Sequence, residues 1–212
     1  FETLSFWFGT GRVFSFDWTQ LTDWIYLSHS GQMKGQFGYG ITLFAEDEFY
    51  KNILFEDNYG LEISFEKSLS KSIRFDIKPK FGTEIIRVDA PYQARNTGIA
   101  LSIELKPSDE FKLNFRMDQS KSIRFENDEV VYSDMIARAR FEYQATTFLN
   151  FRLVAQYHRY YDTFDIQPLI SYQPGPFSIF YFGTSRTYDT SFPGWKESYG
   201  QIYLKVQKLF SF

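Results

Sequence analysis

Apolar and polar residues alternate with a period of two along most of this chain, the pattern of strands that carry one apolar and one polar face. From Thr97 the odd positions read Thr97, Ile99, Leu101, Ile103 and Leu105, and the even ones Gly98, Ala100, Ser102, Glu104 and Lys106. The next segment sets Phe111, Leu113, Phe115 and Met117 against Lys112, Asn114, Arg116 and Asp118. A third sets Met135, Ala137, Ala139, Phe141 and Tyr143 against Arg138, Arg140, Glu142 and Gln144, and a fourth sets Leu149, Phe151, Leu153, Ala155 and Tyr157 against Asn150, Arg152, Gln156 and His158. Upstream, Ile73, Phe75, Ile77, Phe81 and Ile85 oppose Arg74, Asp76, Lys78, Lys80 and Glu84, and Phe37, Tyr39, Ile41 and Leu43 oppose Gln36, Gly38, Gly40 and Thr42. The pattern is noisier over the rest of residues 1–55. At about 15 residues per strand and turn the chain supplies on the order of 14 strands, or about 12 if that first stretch is partly loop.

Two architectures use such strands. In a soluble sandwich the apolar faces of two sheets meet, whereas in an outer-membrane barrel the apolar face meets lipid and the polar face lines the lumen. The connections favour the barrel. Those at residues 68–72, 106–111, 144–148 and 173–177 fall at one end and are short, and those at 89–96, 126–129, 162–165 and 188–195 fall at the other and are on average longer and less regular. Bacterial barrels sort their turns this way, short ones at the periplasm, and a sandwich has no reason to. The fold class expected is therefore all-β, an antiparallel up-and-down transmembrane β-barrel occupying residues 1–212 as a single domain, the ordered part of a longer chain.

Composition sharpens the picture. Of 212 residues 43% are hydrophobic and 21% aromatic, with 25 Phe and 15 Tyr. The mean hydropathy of -0.34 is low. A barrel strand needs only about 9–11 residues, half of them polar, so low hydropathy does not argue against a membrane. With no Cys, disulfides and thiol chemistry are excluded. A net charge of -3 gives no basic footprint for nucleic acid. The hexapeptide SKSIRF occurs at 70–75 and again at 120–125, but the flanks differ and the repeat reads as shared strand chemistry.

The chain ends on Phe212, preceded at alternate positions by Phe210, Val206, Leu204 and Ile202, with Lys208 interrupting the stripe. This resembles the C-terminal signal by which outer-membrane barrels are recognised for assembly, with Gln207 standing where the commonest form has Gly. Val206, Phe210 and Phe212 are its expected elements. Four further segments, ARARFEYQ (137–144), FLNFRLVAQY (148–157), QPLISYQPGPFSIFYFGTS (167–185) and QIYLKVQKLFSF (201–212), lie in the last 76 residues, roughly a third of the chain. They resemble the C-terminal region of outer-membrane proteins that pair a carbohydrate-binding family 9-like N-terminal domain with a barrel of unassigned function. The resemblance implies the fold and an outer-membrane location rather than an activity.

Candidate chemistry is sparse. The two histidines are His29, followed by Ser30, and His158, followed by Asp162 and Asp165. They are far apart, which disfavours a metal site, and His158 continues a polar strand face. No catalytic residue, metal or cofactor is expected, and the chain is read as non-enzymatic. The residues expected to line the lumen are Arg74, Lys78, Glu104, Lys112, Arg116, Arg138, Arg140, Glu142, Arg152, Gln156 and His158, and those expected to face lipid are Leu101, Ile103, Phe115, Phe141, Phe151 and Leu153. Both charge signs are present in near balance on the polar face, which suits wall-bracing ion pairs more than strong ion selectivity. Aromatic residues near strand ends, including Trp18, Trp24, Tyr26, Tyr157, Tyr160, Tyr161, Tyr181, Tyr188 and Trp195, are expected to form interfacial girdles. Sugar stacking by Tyr160, Tyr161, Tyr188, Phe192 and Trp195 is the sharper alternative.

The function expected is a porin-like pore, or the membrane-embedded anchor of a larger cell-envelope assembly. Its partners are outer-membrane lipid, the barrel-assembly machinery and a multi-protein envelope complex, with no nucleic acid. The competing readings are a soluble all-β glycan-binding module and an outer-membrane hydrolase using one of the histidines. Arginine placed at Leu153 or Phe115 should cost about 2–4 kcal/mol if these positions face the bilayer midplane, and should be nearly neutral at Gln156 or Asn114. Equal costs on the two faces, measured by urea unfolding from lipid vesicles, would rule out a barrel.

Overall fold

The computed structural model describes residues 1–208. It contains twelve strands: β1 (Thr3–Phe14), β2 (Gln20–Met33), β3 (Phe37–Tyr50), β4 (Ile53–Ser70), β5 (Ile73–Ile86), β6 (Tyr92–Leu105), β7 (Phe111–Arg124), β8 (Val130–Gln144), β9 (Leu149–His158), β10 (Thr163–Gly175), β11 (Ser178–Asp189) and β12 (Lys196–Lys208). They form one antiparallel sheet in strict sequence order, each strand hydrogen-bonded to the next without crossover. The number is twelve rather than fourteen, and not because the N-terminal stretch is loop. Residues 1–55 hold β1, β2, β3 and the start of β4, and the strands are simply longer than the minimum span, up to 18 residues in β4.

Longer strands also shorten the connections. β6 begins at Tyr92, absorbing residues expected to be loop, and β3 meets β4 through Lys51 and Asn52 alone. Both of these residues have positive φ, 49° and 62°. That is the backbone of a type I′ hairpin turn, whose twist matches the strands it joins. The β2–β3 hairpin closes through three residues, Lys34 to Gln36, of which Gly35 and Gln36 have φ of 80° and 60°. Of the connections expected from the sequence, the short set leaves two to five residues between strands and the other set four to six, so the two ends differ in the expected direction, the β3–β4 hairpin being the short exception.

The chain divides into two compact units. The first comprises residues 1–69, 75–101 and 118–133, and the second holds the remaining described residues. In the first, β1 to β4 pair in continuous register: Ser5 lies opposite Ser30, which lies opposite Gly40, which lies opposite Ser64. Opposed residues share a face, so Phe6, His29, Ile41 and Ile63 form the next row on the other side. A bulge breaks the β3–β4 register between Glu46 and Glu48, where Asp57 takes φ 57° and its N–H donates to Asp47 Oδ1 at 2.9 Å. In the second unit, Tyr143, Phe151, Ile170, Phe182 and Leu204 make one apolar row across β8 to β12.

There is little core. The buried apolar residues among those described are Phe55, Ile85, Ala94, Val154 and Leu169, while large apolar side chains such as Phe8, Ile25, Leu43, Tyr143, Ile170, Phe182, Leu204 and Val206 are exposed. The accessible surface is 14495 Å². A water-soluble globular monomer of 25.1 kDa would expose about 10,000 Å². Both faces of the sheet are thus open to their surroundings, and the more exposed one is apolar.

Glycines mark where backbone or rings come close. A Cβ at Gly82 on β5 would lie 2.2 Å from the Tyr59 carbonyl oxygen and 2.8 Å from the Gly60 Cα. Since backbone cannot swing aside as a side chain does, Gly82→Ala should destabilise the protein by about 1–3 kcal/mol. Gly175→Ala, where nothing lies within 4 Å, should be neutral. Urea unfolding of the two variants compares them directly, and equal midpoints would show that β4 and β5 separate to make room.

Candidate functional site

The polar face is where the charged and hydrogen-bonding side chains converge, and strand pairing fixes who shares it. In the second unit, Glu142 lies opposite Arg152, Arg138 opposite Gln156, and Ile136 opposite His158. Arg138, Arg140, Glu142, Arg152, Gln156 and His158 therefore stand on one face of β8 and β9, and Phe141, Phe151 and Leu153 stand on the other. Arg140 Nε donates to Glu142 Oε1 at 3.1 Å. Glu104 receives both Lys106 at 2.9 Å and Lys112 at 3.0 Å. Arg140, Lys106 and Lys112 are thus spent on neighbouring carboxylates, whereas Arg152 Nε is buried without a hydrogen-bond partner. The face is not uniformly polar, because buried Val154 and Leu169 belong to it as well. Arg74, Lys78, Arg116 and Arg138 are exposed, and Leu101, Ile103 and Phe115 are half-buried.

In the first unit part of the polar face is buried. Ser122 is fully enclosed. Its hydroxyl donates to Glu84, and Asn96 Nδ2 donates to both Ser120 and Ser122 at 3.2 Å. Asn58, also buried, donates to the Phe55 carbonyl and accepts from Gln93 Nε2. These groups carry their partners with them, as burial of polar atoms requires. Toward the other end of the same unit, Ser5, Ser30, Ser64, Glu66, Asp76 and Lys78 line a polar cavity of about 290 Å³.

The two histidines lie in different settings. Adjacent residues of a strand point to opposite faces, so His29 is not poised over Ser30. It lies on the apolar face, opposite Phe6 and Ile41, and its Nε2 meets the Tyr39 hydroxyl at 2.8 Å. His158 is paired with Asp134 on the neighbouring strand, Nε2 to Oδ2 at 2.7 Å, rather than with Asp162 or Asp165. Asp134 is 8% exposed and its Oδ1 also accepts the Met135 and Tyr160 amides, at 2.7 and 3.1 Å. Tyr161 packs edge-on against the His158 ring at 4.6 Å. Asp134 had no distinguishing signal in the sequence beyond its place in the polar series, because its partner is 24 residues away. Among the described residues no group of three His, Cys, Asp or Glu side chains is placed to hold a metal ion.

The aromatic residues divide between the faces. Tyr157, Phe164 and Tyr188 share a row on the apolar face, as girdle residues should. Trp24, Tyr26 and Tyr181 do not: Tyr26 lies in line with Gly9 and Phe44 on the polar face, Trp24 with Gly11 and Glu46, and Tyr181 opposite Ser171 and Lys205. Trp18, Tyr160, Tyr161 and Trp195 sit in the connecting turns. At the C-terminus, Ile202, Leu204 and Val206 form an exposed stripe on β12 opposite Thr184, Phe182 and Phe180. Phe210 and Phe212 lie outside the described residues.

No protein-family model matches the chain, and no curated protein matches it either. Solved structures to which the chain shows a distant likeness include two outer-membrane channels. One, described as "CymD monoaromatic hydrocarbon channel", is 11% identical with a TM-score of 0.41, the match covering 95% of this chain and 77% of that one. The other, described as "NanC porin structure in rhombohedral crystal form", is 10% identical with a TM-score of 0.38, covering 99% of this chain and all of that one. A likeness at this level fixes neither lumen nor cargo.

Asp134 holds the start of the β9–β10 turn through three partners at once. Asp134→Ala should leave two amide donors without their acceptor and cost about 1–3 kcal/mol. The Tyr160 amide should then exchange its hydrogen faster than in His158→Ala, which removes one partner only. Unchanged exchange at Tyr160 in the Asp134 variant would show that the turn is held by other contacts.

Proposed function

We propose that this chain is a non-enzymatic β-barrel of the bacterial outer membrane, a single domain in which the twelve strands close on themselves and the polar face surrounds an aqueous lumen. The observation that carries this reading is the inversion of the usual burial pattern: the apolar face is the exposed one. Exposed apolar surface of this extent is unfavourable in water, at about 25 cal/mol per Å², and is satisfied by lipid. A closed antiparallel sheet is also the one β architecture whose backbone groups are all paired within a bilayer. Under this reading Leu101, Ile103, Phe115, Phe141, Phe151 and Leu153 face lipid, and the charged series from Arg74 to His158 lines the lumen. Val206, with the C-terminal phenylalanines, is offered to the assembly machinery. The carbohydrate-binding domain of the family that residues 137–212 resemble would be the barrel's soluble partner on the same polypeptide.

A second reading, the membrane-embedded anchor of a larger envelope assembly, is favoured by one specific observation. The enclosed Glu84–Ser122–Asn96 network and the Glu104–Lys112 pair brace the polar face in the way a narrow barrel needs. The hydrolase reading has least support: His29 is engaged by Tyr39 and His158 by Asp134 on the neighbouring strand rather than by a serine.

Planar-bilayer recording separates these. The purified chain should insert and give conductance steps of reproducible size, with weak ion selectivity because the two charge signs nearly balance. Stable insertion with a silent trace would instead assign it as an anchor. A chain that stays monomeric in buffer without detergent, and does not insert, would overturn the membrane reading.

A further inference from the structure

The polar face of β1 to β3 carries a patch that neither a pore wall nor a girdle explains. Three consecutive rows can be read across the first four strands: Trp7, Ser28, Thr42, Glu62; then Gly9, Tyr26, Phe44, Gly60; then Gly11, Trp24, Glu46, Asn58. Aromatic residues and glycines interleave in this grid. Each glycine clears the backbone for a ring. A Cβ at Gly11 would lie 2.7 Å from the Trp24 indole, one at Gly9 2.4 Å from the Trp7 indole, and one at Gly60 2.0 Å from the Phe44 ring. The rings therefore pack against bare backbone, and Trp7 meets Tyr26 edge to face, with centroids 4.8 Å apart and planes at 78°. Lipid anchoring cannot account for them, because the lipid-type residues of the same strands, Phe6, Phe8, Ile25 and Leu43, are on the opposite face.

The result is a shallow apolar floor with polar borders. Trp7, Trp24, Tyr26 and Ser28 line an open cavity of about 480 Å³, and Trp7 remains 52% exposed. Ser28 and Thr42, whose hydroxyls are 3.2 Å apart, border it on one side together with Glu62, and Glu46 borders it on the other. Successive residues of a strand rise about 3.4 Å, so the two polar borders, four residues apart, are separated by about 13 Å. An exposed indole face suits the C–H face of a pyranose ring, and hydroxyl and carboxylate groups on either side suit its equatorial hydroxyls. A simple hydrocarbon would leave those borders unused. The separation of the borders is longer than one ring.

We propose that this patch is a binding site for a neutral hexopyranose oligosaccharide, with Trp7, Trp24 and Tyr26 as the stacking residues and Ser28, Thr42 and Glu46 as hydrogen-bonding partners. The site depends on the polar face being accessible but not on conduction, so it stands whether the barrel is a pore or an anchor. Trp7 and Trp24 are two of the four tryptophans in the chain, the others being Trp18 and Trp195 in connecting turns, and indole fluorescence reports on the patch.

The test is a fluorescence titration of the full chain, folded in an amine-oxide detergent that carries no sugar, with maltohexaose and cellohexaose as probes. At least one of them should give a saturable change in tryptophan emission. Trp24→Ala should weaken the apparent affinity at least tenfold, and Trp18→Phe with Trp195→Phe should leave it unchanged. If Trp24→Ala does not fold, as judged by loss of heat-modifiable migration on a gel, Trp24→Phe and Ser28→Ala serve instead. Each should weaken binding severalfold while keeping the fold. The proposal is overturned if neither probe gives a saturable response, or if the response survives Trp24→Ala. A response to toluene without one to either sugar would also overturn it and reassign the patch to apolar solutes.

Discussion

The hydrogen-bond ladder between neighbouring strands is the interaction on which everything else in this molecule depends. A soluble domain holds its strands together by burying apolar faces against each other, so that backbone pairing is one contribution among several. Here the buried apolar set among the described residues is confined to a few positions such as Phe55, Val154 and Leu169, and the sheet has no second layer to pack against. Each strand is held in place by the next one in sequence. The tight turns follow from this: Lys51–Asn52 and Gly35–Gln36 adopt left-handed backbone because the two strands they join must begin pairing at once.

Once the ladder is in place the period of two does the rest, assigning each residue a face without any further packing decision. The apolar face is left for the surroundings to satisfy. Much of the polar face is satisfied by cross-strand and same-strand pairs, Glu104 with Lys106 and Lys112, Arg140 with Glu142, Asp134 with His158, and the enclosed Asn96–Ser122–Glu84 cluster, while Arg124 Nε and Arg152 Nε are buried there without a hydrogen-bond partner. In a medium of low dielectric an unpaired charge on that face would be costly, whereas paired ones stiffen it. The polar face is built from the residues a soluble protein would put outside.

The aromatic residues show where a one-dimensional reading stops. Trp24 and Tyr26 sit near a strand end, as girdle residues do, and by position alone nothing separates them from Tyr157 or Tyr188. Register separates them. Tyr157 and Tyr188 align with Phe164 on the apolar face, and Tyr26 aligns with Gly9, Phe44 and Gly60 on the polar one. The N-terminal stretch looked noisy for the same reason. Aromatic residues on the polar face of β2 blur its alternation, so that a regular strand read as part loop.

Strand identity, antiparallel order, the apolar stripe and the face shared by Arg138, Arg140, Glu142, Arg152, Gln156 and His158 were all present in the amino-acid sequence, because side-chain direction in a strand is a local property with a fixed period. The sequence also left a count between twelve and fourteen, since strand length beyond the minimum span has no local marker. Only the tertiary structure decided which residues meet across strands. That Asp134 rather than Asp162 answers His158, that His29 turns away from Ser30, and that glycines on β1 and β4 make room for rings from β2 and β3 all depend on register. Register is set by turns and bulges that shift an entire strand by a residue at a time, and one such shift exchanges the two faces.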